Sequence, residues 1–169
     1  ATSGIGHETA LLFAQQGVKV ILAGRNEKAG YSLQNEISEA GGKALFIKTE
    51  ISDHESVKTL IKTTEQKFGA IHFALNNAGI EGKLGLLADM EERDYDEVLG
   101  INLKGMWLCL KFQLQAMAES GGAIVNISTN LTRMGMPTTG LYTASKAGVE
   151  SLSRVAAIEY GKIGIRVNV

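Results

Sequence analysis

The chain has 169 residues, 44% of them hydrophobic, and its 17 basic and 18 acidic side chains leave a net charge of −1. That length supports one sizeable core and is short for two. The near-neutral balance points to neither nucleic acid nor an anionic membrane as partner, and no apolar run approaches the roughly 20 residues of a membrane span.

In chain order, a glycine turn, "ATSGIG", leads into a helix that ends at Gly17. "VKVILA" (18–23) is a short apolar strand. Asn26 can cap a helix with Leu33, Ile37 and Ala40 at helical spacing, and Gly41 and Gly42 stop it. "KALFIK" (43–48) is the next strand. Ser52 and Glu55 have the spacing of a capping box before a helix whose apolar face is Val57, Leu60, Ile61, Thr64 and Phe68. "IHFALN" (71–76) is a strand that runs into "NAG". Asp89 with Glu92 is a second capping signal. It opens a long helical region to about Ser120, and Gly100 and Gly105 inside it predict two helices or a bent one. "AIVNIS" (123–128) is a strand, and a loop holding the only proline, Pro137, follows. A helix over 142–160 and a strand in "GIRVNV" close the chain.

The alternation of helices with continuous apolar strands predicts an α/β fold, a doubly wound parallel sheet covered by helices on both faces. No linker, repeat or low-complexity tract interrupts it, so residues 1–169 read as a single domain. Cys109 is the only cysteine, which excludes an intrachain disulfide and fits a reducing, cytoplasmic setting. His7, His54 and His72 are scattered without ligand spacing, so no metal site is expected. Trp107 and Met106 in the long helix read as core or interface.

Three stretches carry candidate chemistry. The opening glycines precede a helix N-terminus, where free N–H groups suit a pyrophosphate, though a tight structural turn has the same look. "NNAG" (76–79) ends a strand, where open parallel sheets bind ligands, and it also serves as a plain turn. Tyr142 and Lys146 stand four apart on one helix face, among small residues. A tyrosine ionises near pH 10 unaided. A cation within about 4–6 Å stabilises the phenolate and makes a tunable acid/base; otherwise the two are a surface pair. Asn102, a polar residue inside a helix, is a further candidate.

The glycine turn, "NNAG", "INLKG", "IVNIS" and "YTASK" occur in the order and rough spacing of the classical short-chain dehydrogenases/reductases, and the whole chain resembles that family. The resemblance implies a Rossmann-like fold and a nicotinamide-dependent oxidoreductase that interconverts a secondary alcohol and a ketone. Tyr142 would be the catalytic acid/base. Lys146 would ease loss of its proton and hydrogen-bond the nicotinamide ribose. Asn102 would hold a relay water through its backbone. Ser3, Gly4, Ile5 and Gly6 would line the cofactor phosphates; Asn76, Ala78 and Gly79 would border the adenosine and ribose. Glu50, with Ile51 beside it, stands where the family has an adenine-contacting Asp. The substrate-orienting serine of the family lies thirteen residues before the tyrosine, a position held here by Thr129. The other hydroxyl at this strand end, Ser128, should point to the opposite face. A homo-oligomer, dimer or tetramer, is also implied.

The second strand ends "ILAGRN", with Gly24 where an NAD-preferring site places an acid and Arg25 next to it, able to pair with a 2′-phosphate. NADP(H) is therefore the expected cofactor, with NAD(H) as the alternative. Rival readings are a dinucleotide-binding sensor without turnover and an extended-family epimerase or dehydratase. An enoyl reductase of this family would show a wider gap than four between tyrosine and lysine. The family's glycine motif starts before Ala1, so the chain is expected to be a fragment lacking the first strand and the substrate-covering loop, and inactive and unstable on its own. Its strands "VKVILA" and "IHFALN" would then flank a gap or pair directly.

Overall fold

The computed structural model describes residues 2–169, which form two compact units, one ending at Ala70 and the other comprising Ile71–Val169. Each is α/β with parallel strands.

The first unit runs α1 (Gly4–Gln15), β1 (Lys19–Gly24), α2 (Glu27–Glu39), β2 (Lys43–Lys48), α3 (His54–Phe68). β1 and β2 pair in parallel from Lys19↔Lys43 to Gly24↔Lys48. Ala10 and Ala14 of α1, Val20 and Leu22 of β1, Leu33 and Ile37 of α2 and Phe46 of β2 form the core. Each large side chain buried there contributes about 1.5–3 kcal/mol. Gly30 is needed where α2 crosses β2, because a Cβ would collide with the Phe46 ring. Asn26 caps α2 as expected, accepting the Ala29 N–H at 3.0 Å. Ala40 is the C-cap of α2 and exposed rather than part of its apolar face. The cap of α3 also differs from expectation. Asp53, not Ser52, is the N-cap and accepts the Ser56 N–H at 2.7 Å. Ser52 instead donates its hydroxyl to Glu50 at 2.9 Å, and Glu55 bonds His54. A carboxylate one residue nearer the helix outcompetes the hydroxyl for the free N–H groups.

The second unit runs β3 (Phe73–Asn76), α4 (Glu92–Leu99), a π-helical segment (Gly100–Gly105), α5 (Met106–Ala116), β4 (Gly122–Asn126), α6 (Leu131–Met134), α7 (Gly140–Tyr160) and β5 (Ile165–Asn168). The strand order is β3-β4-β5, all parallel, with Asn76 opposite Asn126. Leu108, Met117, Ile124, Val149 and Ile165 are fully buried at its centre. α4 begins later than Asp89 and Glu92 suggested. Glu91 is the N-cap, its own N–H donates to Asp94 at 3.0 Å, and Asp89 lies in a short 3₁₀ turn. The long helical region continues through the π segment instead of breaking. The stretch read as loop after β4 contains the short helix α6. Among the described residues β1 is paired with β2, and β3 with β4. No described helix is long and apolar enough to cross a membrane, and no group of three or more metal-ligating side chains is found among the described residues.

Candidate active site

In the second unit the candidate residues converge on the first turns of α7. Lys146 is only 5% exposed. Its Nζ donates to the Ile127 carbonyl at 2.7 Å and lies 5.9 Å from the centroid of the Tyr142 ring. Burial pushes the Lys146 ammonium below its ordinary pKa. Ile127, at the end of β4, takes one of the three N–H donors, which leaves two for ligand hydroxyls. Tyr142 is half-buried on the same helix face.

Asn102 lies in the π segment and is 1% exposed. Its Oδ1 accepts the Ile80 N–H at 2.8 Å, and its Nδ2 donates to the Ile80 carbonyl at 2.8 Å and to Ser145 Oγ at 3.0 Å. Ser145 in turn donates to the Tyr142 carbonyl at 2.6 Å. One buried amide thus ties the loop after β3 to the turn of α7 that carries the tyrosine. A π turn in a long helix commonly marks a functional site. Gly79 sits against this cluster: a Cβ there would lie 3.1 Å from Asn102 Oδ1 and 3.3 Å from Lys146 Nζ. The cradle therefore fits a ligand edge that must approach backbone and ammonium together, as a ribose does.

Asn76 is held differently from the other strand-end residues. Its side chain donates to Gln113 and to Asn126, each at 2.8 Å, and accepts from Gln113 at 2.8 Å. Asn126 passes the chain to Ser153 at 2.8 Å. That amide network uses the side chain of Asn76, so only its backbone is left to border a cofactor, beside the exposed Ala78 and Gly79. Ser128 and Thr129 do face different partners. Ser128 Oγ donates to Glu150 at 2.9 Å, whereas Thr129 Oγ1 accepts the Leu131 N–H at 3.3 Å.

In the first unit, Ser3 is the N-cap of α1 with extended backbone and makes no side-chain cap bond. Gly4 has φ +52, in the left-handed region, and nothing lies within 4 Å of where its Cβ would be. The first-turn N–H groups of Gly4, Ile5 and Gly6 have no helical acceptors, so they suit a phosphate. Arg25 Nη1 stands 3.5 Å from Glu50 Oε2. Burial opposes ionisation of Glu50, but the Ser52 N–H and hydroxyl and the Arg25 guanidinium outweigh it and hold the carboxyl below its usual range. Ile51 is half-buried beside it. Ser145, Gln113 and Glu150 are participants that sequence reasoning missed. Their only signal is a polar residue at a buried helical position. Burial raises the Cys109 thiol to about 12, which leaves no thiolate for chemistry.

The family model described as enoyl-(acyl carrier protein) reductase matches residues 1–169. A 3beta-hydroxysteroid dehydrogenase of Mediterraneibacter gnavus is 38% identical over 168 residues, covering 99% of this chain and 61% of its own. A 3-ketoacyl-ACP reductase from Sinorhizobium meliloti superposes with a TM-score of 0.96 at 34% identity, covering 99% of this chain and 67% of that one. An actinorhodin polyketide ketoreductase solved with NADPH gives a TM-score of 0.94 at 30% identity, covering 99% and 65%. The chain belongs to the classical short-chain dehydrogenase/reductase family and has its Rossmann-type α/β fold. It spans 61% and 66% of the lengths of the first two curated relatives it matches.

Proposed function

We propose that the protein is an NADP(H)-dependent oxidoreductase that interconverts a secondary alcohol and a ketone, with Tyr142 as acid/base. The observation that carries this reading is the buried Lys146 ammonium, anchored on Ile127 and 5.9 Å from the Tyr142 ring centroid, with Gly79 and Asn102 against it. When bound, a nicotinamide supplies or accepts the hydride. Tyr142 gives the substrate oxygen its proton during reduction and takes it back during oxidation. Lys146 stabilises the phenolate left behind and offers its remaining donors to the ribose. Asn102 holds the turn that presents the tyrosine, and its backbone is the proposed water site. Thr129 orients the substrate oxygen. Ser3, Gly4, Ile5, Gly6, Arg25, Glu50, Ile51, Asn76, Ala78 and Gly79 are the proposed cofactor contacts. Relatives named for a hydroxysteroid and for a ketoacyl group support hydroxyl–keto chemistry.

The description of the family model favours a second reading, reduction of an enoyl thioester. The spacing of four between Tyr142 and Lys146 speaks for the ketone. Turnover of NADPH by the full-length protein with a panel of ketones and a 2-enoyl thioester separates the two. Consumption with ketones alone supports the first, and consumption with the enoyl thioester alone rejects it. A homo-oligomer is part of the proposal, supported by exposed Tyr95, Trp107 and Ile158 on the helices of the second unit.

Two residues set further expectations. Arg25 follows Gly24 at the end of β1 and pairs with Glu50 at 3.5 Å, an exposed contact that is worth little. A 2′-phosphate offers a doubly charged, bidentate partner instead. Arg25→Ala should lower kcat/KM for NADPH by about 10- to 100-fold, the size of a charged hydrogen bond, and leave NADH nearly unchanged. A variant that keeps its full NADPH preference would sink the assignment. Thr129→Ala should lower kcat/KM by roughly 100-fold, within the range for one positioned hydrogen bond. Ser128→Ala, whose hydroxyl is spent on Glu150, should cost far less. The reverse order in steady-state kinetics assigns the role to Ser128.

A further inference from the structure

Glu150 is two helical turns beyond Tyr142 on α7, and the acid/base reading gives it no task. Its side chain is 18% exposed. Oε1 accepts two hydroxyls, Ser128 Oγ at 2.9 Å and Thr132 Oγ1 at 2.6 Å. Thr132 Oγ1 also lies 2.9 Å from the Thr129 carbonyl. Those two hydroxyls flank Thr129 on either side in the chain. The segment is further held where Ile127 accepts the Lys146 ammonium and where Thr129 Oγ1 accepts the Leu131 N–H. Hydrogen bonds from Thr132 and Ser128 hold the Glu150 carboxyl below its usual range against its burial, with Arg133 and Arg154 adding to the effect. The ionised group is an acceptor only, which suits a role as a double anchor. The loop after a strand has no ladder to fix it. Here one carboxylate on α7 supplies two of the segment's anchors.

The geometry points to Glu150 as a positioning residue that clamps the Ser128–Thr132 segment to α7 and thereby aims the Thr129 hydroxyl at the substrate oxygen. This inference rests on the reading of Thr129 as the orienting group. A shift of that hydroxyl by about 1 Å costs up to roughly 100-fold in rate, so the carboxylate should matter to turnover without touching substrate.

The test compares Glu150→Ala, Glu150→Gln, Thr132→Val, Thr129→Ala and the double variant Glu150→Ala with Thr129→Ala in the full-length protein. Ketone reduction is read as kcat and KM, and NADPH binding is read separately by fluorescence. Glu150→Ala should lower kcat roughly 10- to 100-fold with NADPH affinity within about twofold of the parent. Glu150→Gln keeps an oxygen acceptor at the same reach and should restore most of the rate. Thr132→Val removes one anchor with little change of shape and should give a smaller loss of the same kind. The double variant should be no slower than Thr129→Ala alone, because both changes act on one group. Parent-like kcat in both Glu150→Ala and Thr132→Val, with Thr129→Ala slow, overturns the inference and leaves the proposed function standing. Losses that multiply in the double variant overturn it too. A silent Thr129→Ala removes the Thr129 reading and the inference with it. Should Glu150→Ala not fold, Thr132→Val decides.

Discussion

Tyr142→Phe should lower kcat by about 100- to 10,000-fold, the range for loss of a positioned acid/base. The substitution removes one oxygen and keeps the ring. The ring packing and the contact with the Lys146 ammonium, 5.9 Å from the centroid, are therefore retained. Lys146 stays fixed through Ile127, so the cofactor side of the cradle is unchanged. NADPH affinity should accordingly stay within a few-fold while turnover collapses, the pattern of an interaction made in the transition state. Stopped-flow reduction of a ketone, beside a fluorescence titration of NADPH, checks both halves. A phenylalanine variant that retains a third of the parent rate would remove Tyr142 from the mechanism.

Asn102→Ala should be the most damaging substitution to stability among the site residues, by about 2–6 kcal/mol. The side chain makes three hydrogen bonds, two of them to the N–H and carbonyl of Ile80. Alanine leaves those two backbone groups without a protein partner, at about 1–3 kcal/mol for each that water does not reach. A domain has only about 5–15 kcal/mol in total. The loop with Gly79 then loses its tether to the turn that carries Tyr142, so kcat/KM should fall as well. Asn102→Asp tests the polarity of the contact. It keeps an acceptor for the Ile80 N–H but sets oxygen against the Ile80 carbonyl, and it should rescue little. Urea unfolding monitored by circular dichroism gives the stability change, and a midpoint equal to that of the parent would refute the tethering role.

Local features of the chain were legible without coordinates. The apolar runs of β1 and β2, the Asn26 cap and the glycine stops at 17 and 41 follow from side-chain periodicity and from backbone conformations that only a few residues adopt. So did the pairing of Tyr142 with Lys146, because a spacing of four puts both on one helix face whatever surrounds it. The α/β class followed from the alternation of such elements. Other features belong to the tertiary structure. That Asp53 and not Ser52 caps α3 went with Ser52 being drawn to Glu50, a contact set by the geometry of the turn and not by spacing. The helix through Gly100 and Gly105 stays continuous because the π segment buries Asn102 against Ile80 and Ser145, residues 22 and 43 positions away. The amide chain from Gln113 through Asn76 and Asn126 to Ser153 likewise joins two strand ends to two helices. A polar side chain inside a helix looks unfavourable when read alone. Its partner is chosen only when distant segments meet in a buried, low-dielectric place, where leaving an amide unpaired costs more than widening one stretch of the helix into π form.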